Sequence, residues 1–321
     1  MGHGRGVDLQ VTESVLAFTI VVAFVLALRR WKVLSPDDVP RFSNLLIKVV
    51  LPVVVASELI GTDFDTHTVA LIFAMYAAGL AALAVTWVAA RLLRLDRGKT
   101  GALMIASSFG SSALLGFPLV SFAFPGDTQA LADVVVVSVL GVGLPMYTIC
   151  PLLAMYYGGT RQDRRSVLHA LRTYLVSPLW FAVVIGVVLA FVPLDIVDSP
   201  FVEPFVTASK MVDGAMSLLA ALVLGLTLKR VPLRGFLPLI AISAATAMFV
   251  QPLAAQLAAM GLGFGDRQQD MAVLIAAMPS AVLGTVFAAQ YDCDGPTTSA
   301  LTFVNILLAP LLVPLAFVLL T

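Results

Sequence analysis

The stretch from Ile105 to Val120 reads IASSFGSSALLGFPLV, and the stretch from Leu274 to Ala289 reads LIAAMPSAVLGTVFAA. Both are apolar enough to lie in lipid, and both are interrupted halfway by Gly, Ser or Pro. Proline removes a backbone donor and frees a carbonyl, while glycine adopts conformations that other residues avoid. Freed groups in hydrocarbon need partners, so a mid-span break belongs against protein or beside a polar cavity. At an offset of 169 residues Gly110 falls on Pro279 and Ser111 on Ser280. Corresponding interruptions in two halves of a chain point to a transporter's binding site. Two half-helix N-termini aimed at one spot offer free amides and positive dipole ends, which suit a carboxylate. Ser111, Ser112 and Ser280 add hydroxyl donors. Pro118 or Pro279 alone reads as a packing kink; the pairing favours a site.

The whole chain has the same character. Of 321 residues 60% are hydrophobic and 12% charged, and the mean hydropathy is +1.00. A soluble domain is nearer half apolar and a quarter charged, so the excess calls for a lipid solvent. Formal charge is zero, which leaves no global field to attract nucleic acid. A span needs about 20 apolar residues. Segmenting at charged and Gly/Pro-rich breaks gives ten: Thr12 to Leu28, Phe42 to Ile60, His67 to Ala90, Thr100 to Phe124, Ala130 to Tyr157, Leu171 to Val192, Phe201 to Leu228, Phe236 to Met260, Gln268 to Tyr291 and Thr297 to Leu320. Thr12 to Leu28 is read as the first span, since no cleavage site follows it. Alternate loops collect the basic residues, such as Arg29, Arg30, Lys32 and Arg41 after span one, and Arg91, Arg94, Arg97 and Lys99 after span three. The other side carries Asp63, Asp65, Asp127, Asp195, Asp198, Asp266 and Asp270. Cytoplasmic loops are the basic ones, so both termini are expected outside the cell membrane.

Five spans per half is an odd number, so a second copy, residues 158–321, would enter the membrane inverted relative to residues 1–157. Spans two and seven support this at an offset of 162, which lays Lys48 on Lys210 and Pro52 on Gly214. Lys48, Lys210 and Asp213 are the most deeply placed charges, and intramembrane charges are costly enough to suggest function. Two readings stay open for the lysines, snorkelling to a head-group boundary or electrostatic support of an anion. Lys210 and Asp213 also stand three apart on one helical face and can neutralise each other. Asn305 either bonds a neighbouring helix or faces the site. Cys150 and Cys293 read as packing residues. His3, His67 and His169 show no metal-ligand spacing, and no phosphate loop or nucleophile elbow is present. No enzyme activity, cofactor or metal is expected.

GSSALLGFPL, Gly110 to Leu119, resembles the span-four motif of the auxin efflux carrier family, Asn-x-Gly-x-x-Gly-x-Pro. Gly116 and Pro118 match; Ser111 stands for the Asn and Ala113 for the first Gly. MPSAVLGTVFAAQY, Met278 to Tyr291, resembles that family's span-nine motif, and Leu51-Pro52 and Leu224-Gly225 also fit. The resemblance implies a fold shared with bile acid:sodium symporters, with spans four and nine crossing at their breaks. It implies a scaffold of spans one, two, six and seven, and a transport unit of three to five and eight to ten moving like an elevator. It further implies a small organic acid substrate such as malonate or malate, and a homodimer. The expected site is Gly110, Ser111, Ser112, Pro118, Met278, Pro279, Ser280 and Asn305. Sodium coupling and a non-transporting membrane sensor are the alternatives.

Overall fold

The computed structural model describes residues 20–53, 66–111, 133–134, 137–158, 172, 175–190, 203–228 and 233–320. Among them the structure is helical, apart from one isolated bridge. Helix α1 covers 20–30, and α2 runs from Val39–Leu45 through a wide π-turn, Leu46–Val50, to residue 53. There follow α3 (Thr66–Leu92), α4 (Arg97–Ser108), α5 (Leu144–Gly158, entered through the π-turn Val137–Gly143), α6 (Pro178–Ala190) and α7 (Glu203–Thr227). Helix α8 joins Leu233–Ala245 to Gln251–Gly261 through a third π-turn, Thr246–Val250. The last three are α9 (Asp266–Ala276), α10 (Val282–Gln290) and α11 (Gly295–Leu320). Helices α1 to α8 fall in the first eight expected spans in order; α9 and α10 share the ninth, and α11 lies in the tenth.

Four described stretches are long and apolar enough to cross a membrane: Val69–Leu92, Val137–Gly158, Phe236–Gly261 and Gly295–Leu320. Their outer faces leave Phe73, Leu80, Leu311 and Val318 exposed. In water such faces would be aggregation surfaces; in hydrocarbon they are the solvated side.

Helices pack where the sequence is smallest. A Cβ on Gly225 of α7 would lie 2.8 Å from Val25 Cγ1, so glycine lets α1 and α7 approach closely. At the end of α7, Arg29 Nη1 donates to the carbonyls of Leu226 (3.3 Å) and Leu228 (2.6 Å). It satisfies carbonyls left over at a helix C-terminus, where a cation also meets the negative dipole end.

One local structure occurs twice. After α3, Leu93 N donates to Ala89 O, Arg94 N to Arg91 O and Leu95 N to Ala90 O, at 2.9, 3.1 and 3.0 Å. After α8, Leu262 N donates to Ala258 O, Gly263 N to Met260 O and Phe264 N to Ala259 O, at 3.0, 3.0 and 3.1 Å. Each bond of the second set lies 169 residues beyond its counterpart. The left-handed residue of each turn corresponds too, Arg94 with φ 51° and Gly263 with φ 76°. So do the helix starts that follow, Arg97 and Asp266. The 6→1 bond and the left-handed residue are those of a Schellman helix stop. Helix α3 packs along the second part of α8, α4 against α3, and α9 against α8.

Candidate functional site

Helix α4 ends at Ser108, because Phe109 turns to extended backbone with φ −120° and ψ 106°. Span nine breaks between Ala276 and Val282. Pro279 has no N–H and discourages helical backbone at Met278, which accounts for the stop. The two broken ends meet. Ser111 N donates to Pro279 O at 2.8 Å and Ala281 N to Phe109 O at 2.7 Å, which makes Gly110 and Ser280 an antiparallel pair. A Cβ on Gly110 would sit 3.2 Å from Met278 O, so glycine keeps this approach open.

Carbonyls at the end of α4 would be orphans in an ordinary helix stop. Here three of them have partners from other elements. Ser280 Oγ donates to Ala106 O, Gln251 Nε2 to Ser107 O at 2.7 Å, and Ala281 N to Phe109 O. Asn305 Nδ2 from α11 bonds Ser280 Oγ at 2.6 Å and Ser243 Oγ at 2.8 Å, with Ala106 O at 3.4 Å. Ser107 Oγ reaches Leu103 O at 2.5 Å and Ser243 Oγ at 3.1 Å. Asn305, Ser243, Ser280 and Ser107 are all buried, so the crossing is fastened to α8 and α11 by a network that water does not dilute.

Beside the crossing lies a cavity of about 260 Å³, walled by α3, the end of α4, the segment entering α5, α8 and α9. Its lining is mostly apolar, with Tyr76, Ser108, Thr148 and Gln251 as polar members. Tyr76 Oη donates to Leu140 O at 2.9 Å, inside the π-turn before α5. Ser108 is buried and its Oγ has no partner among the described residues. Gly79 opens onto free space, with nothing within 4 Å of a Cβ placed there. After the break in span nine, α10 starts at buried Val282 with no side chain capping its N-terminus, and Gly284 N turns back to Ala281 O at 3.1 Å. An uncapped, buried helix start leaves amide donors and a positive dipole end for a ligand.

Of the expected site residues, Gly110, Ser111, Met278, Pro279, Ser280 and Asn305 come together at the crossing. Ser112 and Pro118 lie outside the described residues. Lys48 stands exposed on the π-turn of α2. Lys210 and Asp213 are on α7, and their side chains are outside the described set. Sequence reasoning passed over Ser107, Ser108, Ser243, Gln251 and the cavity. The signals present were the Ser-Ser pair just before Gly110 and the polar Gln251 ahead of Pro252 inside an apolar span.

A family model described as membrane transport protein matches residues 10–317. An uncharacterized transporter of Methanothermobacter thermautotrophicus is 27% identical over 310 residues, covering 95% of this chain and 96% of that protein.

Proposed function

The chain belongs to the membrane transport protein family, that of the auxin efflux carriers, and on that premise we propose a secondary transporter of a small organic anion bound beside the crossing of spans four and nine. The ligand class is a mono- or dicarboxylate of malonate or malate size. The observation that carries this reading is the backbone clasp of Phe109–Ser111 and Pro279–Ala281, with a cavity lined by Phe109 and Gly110 and an uncapped helix starting directly after Ala281. Amide donors and a dipole end stabilise a carboxylate without a fixed cation.

Ten spans in two inverted repeats are part of the same proposal. The recurrence of the α3–α4 stop at α8–α9, 169 residues on, supports a repeat. The antiparallel pairing of the two breaks, Gly110 against Ser280, lies within one residue of the 169-residue offset and resembles what a two-fold axis through the crossing produces, which supports inversion. The close packing of α1 on α7, and the separate network that joins α4, α8, α9 and α11, support division into a scaffold and a moving unit. In this reading the unit carries the anion across as an elevator. The protein sits in the cell membrane as a homodimer with both termini outside, and needs no cofactor.

The test is uptake of labelled mono- and dicarboxylates into proteoliposomes, with and without a sodium gradient. Uptake of at least one acid is expected, and Pro279→Ala and Ser111→Trp are expected to reduce it. If no acid moves and none stabilises the purified protein, the anion reading fails. If both variants transport normally, the site lies elsewhere. A requirement for the sodium gradient would establish the symporter alternative.

A further inference from the structure

Two of the four polar residues lining the cavity, Ser108 at the broken end of α4 and Gln251 bonded to its neighbour Ser107, narrow the ligand by their chemistry. Gln251 reaches the cavity from α8 directly after the π-turn Thr246–Val250. A π-turn adds a residue to the helix and re-aims those around it, and such turns recur at functional sites. The Gln251 amide nitrogen donates to Ser107 O at 2.7 Å, which fixes the buried side chain on the broken end of α4. An amide has two N–H donors and a carbonyl that can only accept, so one donor and one acceptor remain.

Ser108 follows Ser107 in the same wall. It is 5% exposed and its Oγ has no partner among the described residues. Elsewhere in the chain, Thr86, Thr100, Thr148 and Thr227 turn their hydroxyls back to a carbonyl one turn earlier. That is the usual resort of a helical hydroxyl with no other partner. The hydroxyls of Ser43, Ser138, Thr285, Ser299 and Thr302 are also buried without a partner among the described residues, and of these six residues only Ser108 lines the cavity.

These groups ask for a mixed ligand. A bare carboxylate answers the donors but would set oxygen against oxygen at the Gln251 carbonyl. An acid with an O–H beside its carboxylate answers all three groups. Its hydroxyl donates to Gln251 Oε1, and its carboxylate accepts from Ser108 Oγ and from the second N–H of Gln251. No charged side chain is among the described lining residues, so these hydrogen bonds decide between acids of equal charge.

We propose that the site selects hydroxy acids and that Gln251 is its specificity-determining residue. This rests on the reading of the crossing as a carboxylate site. The experiment is uptake by the full chain in proteoliposomes of two matched pairs, lactate against propionate and malate against succinate. A site built around a ligand hydroxyl rejects the analogue lacking it, since its polar groups are then left unpaired. For one such hydroxyl the hydroxylated member of a transported pair is expected to be favoured about tenfold. Gln251→Leu is expected to bring that ratio within about twofold, as the loss of one hydrogen-bond acceptor requires. Ser108→Ala keeps the Gln251 bond to Ser107, and is expected to lower uptake of both members while preserving their ratio. Equal uptake of the two members by the wild-type chain overturns the proposal, and so does a ratio that survives Gln251→Leu. The wild-type ratio decides by itself if Gln251→Leu does not fold. If other carboxylates move but neither pair does, this inference fails and the carboxylate reading stands. If no carboxylate moves, that reading falls first.

Discussion

The stop between α3 and α4 and the stop between α8 and α9 are built from the same three backbone bonds and different residues. One reads Leu93-Arg94-Leu95-Asp96 and the other Leu262-Gly263-Phe264-Gly265. Each carries a left-handed residue in the same place, arginine in one and glycine in the other. Their helix starts differ as well. Asp96 accepts from Lys99 N at 2.9 Å as a side-chain cap, whereas Gly265 caps with none. This geometry is therefore set by where the helix must stop, and residue choice only adjusts its energy. The two units then meet at the crossing, where each supplies what the other's broken end lacks.

The largest effect is expected where α5 meets the loop after α10. A Cβ on Gly158, at the end of α5, would fall 1.8 Å from the carbonyl oxygen of Tyr291, a backbone atom that cannot swing aside. Gly158→Ala is expected to cost about 3 kcal/mol or more, since overpacking against backbone has no easy relief. Thermal denaturation in detergent checks this, and an unchanged midpoint would contradict the packing described. Next comes the network behind the crossing. Asn305→Ala removes the donor to Ser280 and Ser243 and is expected to destabilise by about 2 kcal/mol, with both hydroxyls left short of a partner. The same denaturation measurement applies, and Asn305→Ala should also speed amide exchange at Ser111 and Ala281.

The turns offer a finer test, with opposite signs. Gly263→Ala puts a side chain into left-handed backbone and is expected to cost about 1 kcal/mol. Arg94→Gly relieves that conformation but loosens the unfolded chain, so a net gain of about 0.5 kcal/mol is expected. Equal effects at the two sites would mean that the turns are not equivalent. The smallest effect belongs to Cys293, in the loop joining α10 to α11. Burial, with Asp294 alongside, pushes its thiol up to about 12. The thiolate is the reactive form, so at pH 8 only about one part in ten thousand is available to a maleimide. Labelling is expected to be negligible below pH 10 in the folded protein and rapid after unfolding.

Much of this was legible in the sequence, for physical reasons. Gly110 and Pro279 stand out because an apolar span has no need of them, and a break in lipid needs a partner. Asn305 stood out as polar at depth, and its bonds to Ser280 and Ser243 now say what it fastens. Gln251 did not stand out, since one amide in an apolar span bridges helices as readily as it lines a site. The π-turn that precedes it leaves no mark on hydrophobic periodicity over five residues. Arg94 was hidden as well, because arginine carries no signal for left-handed backbone as glycine does. Ser108 was hidden by its neighbour, since two adjacent serines do not reveal which one faces a cavity.

In the proposed function the anion binds in the cavity beside the crossing, and Gly79 lines that cavity. A Cβ there has nothing within 4 Å and the residue lines the cavity, so Gly79→Phe is expected to project into the cavity with little strain. The deciding measurement is proteoliposome uptake of the best-transported carboxylate by the wild-type chain and by Gly79→Phe, alongside their melting temperatures. Gly79→Phe is expected to melt within a few degrees of wild type and to lose at least about tenfold in uptake, as blocking a site costs more than weakening one of its bonds. Wild-type uptake by a folded Gly79→Phe variant would contradict binding in that cavity.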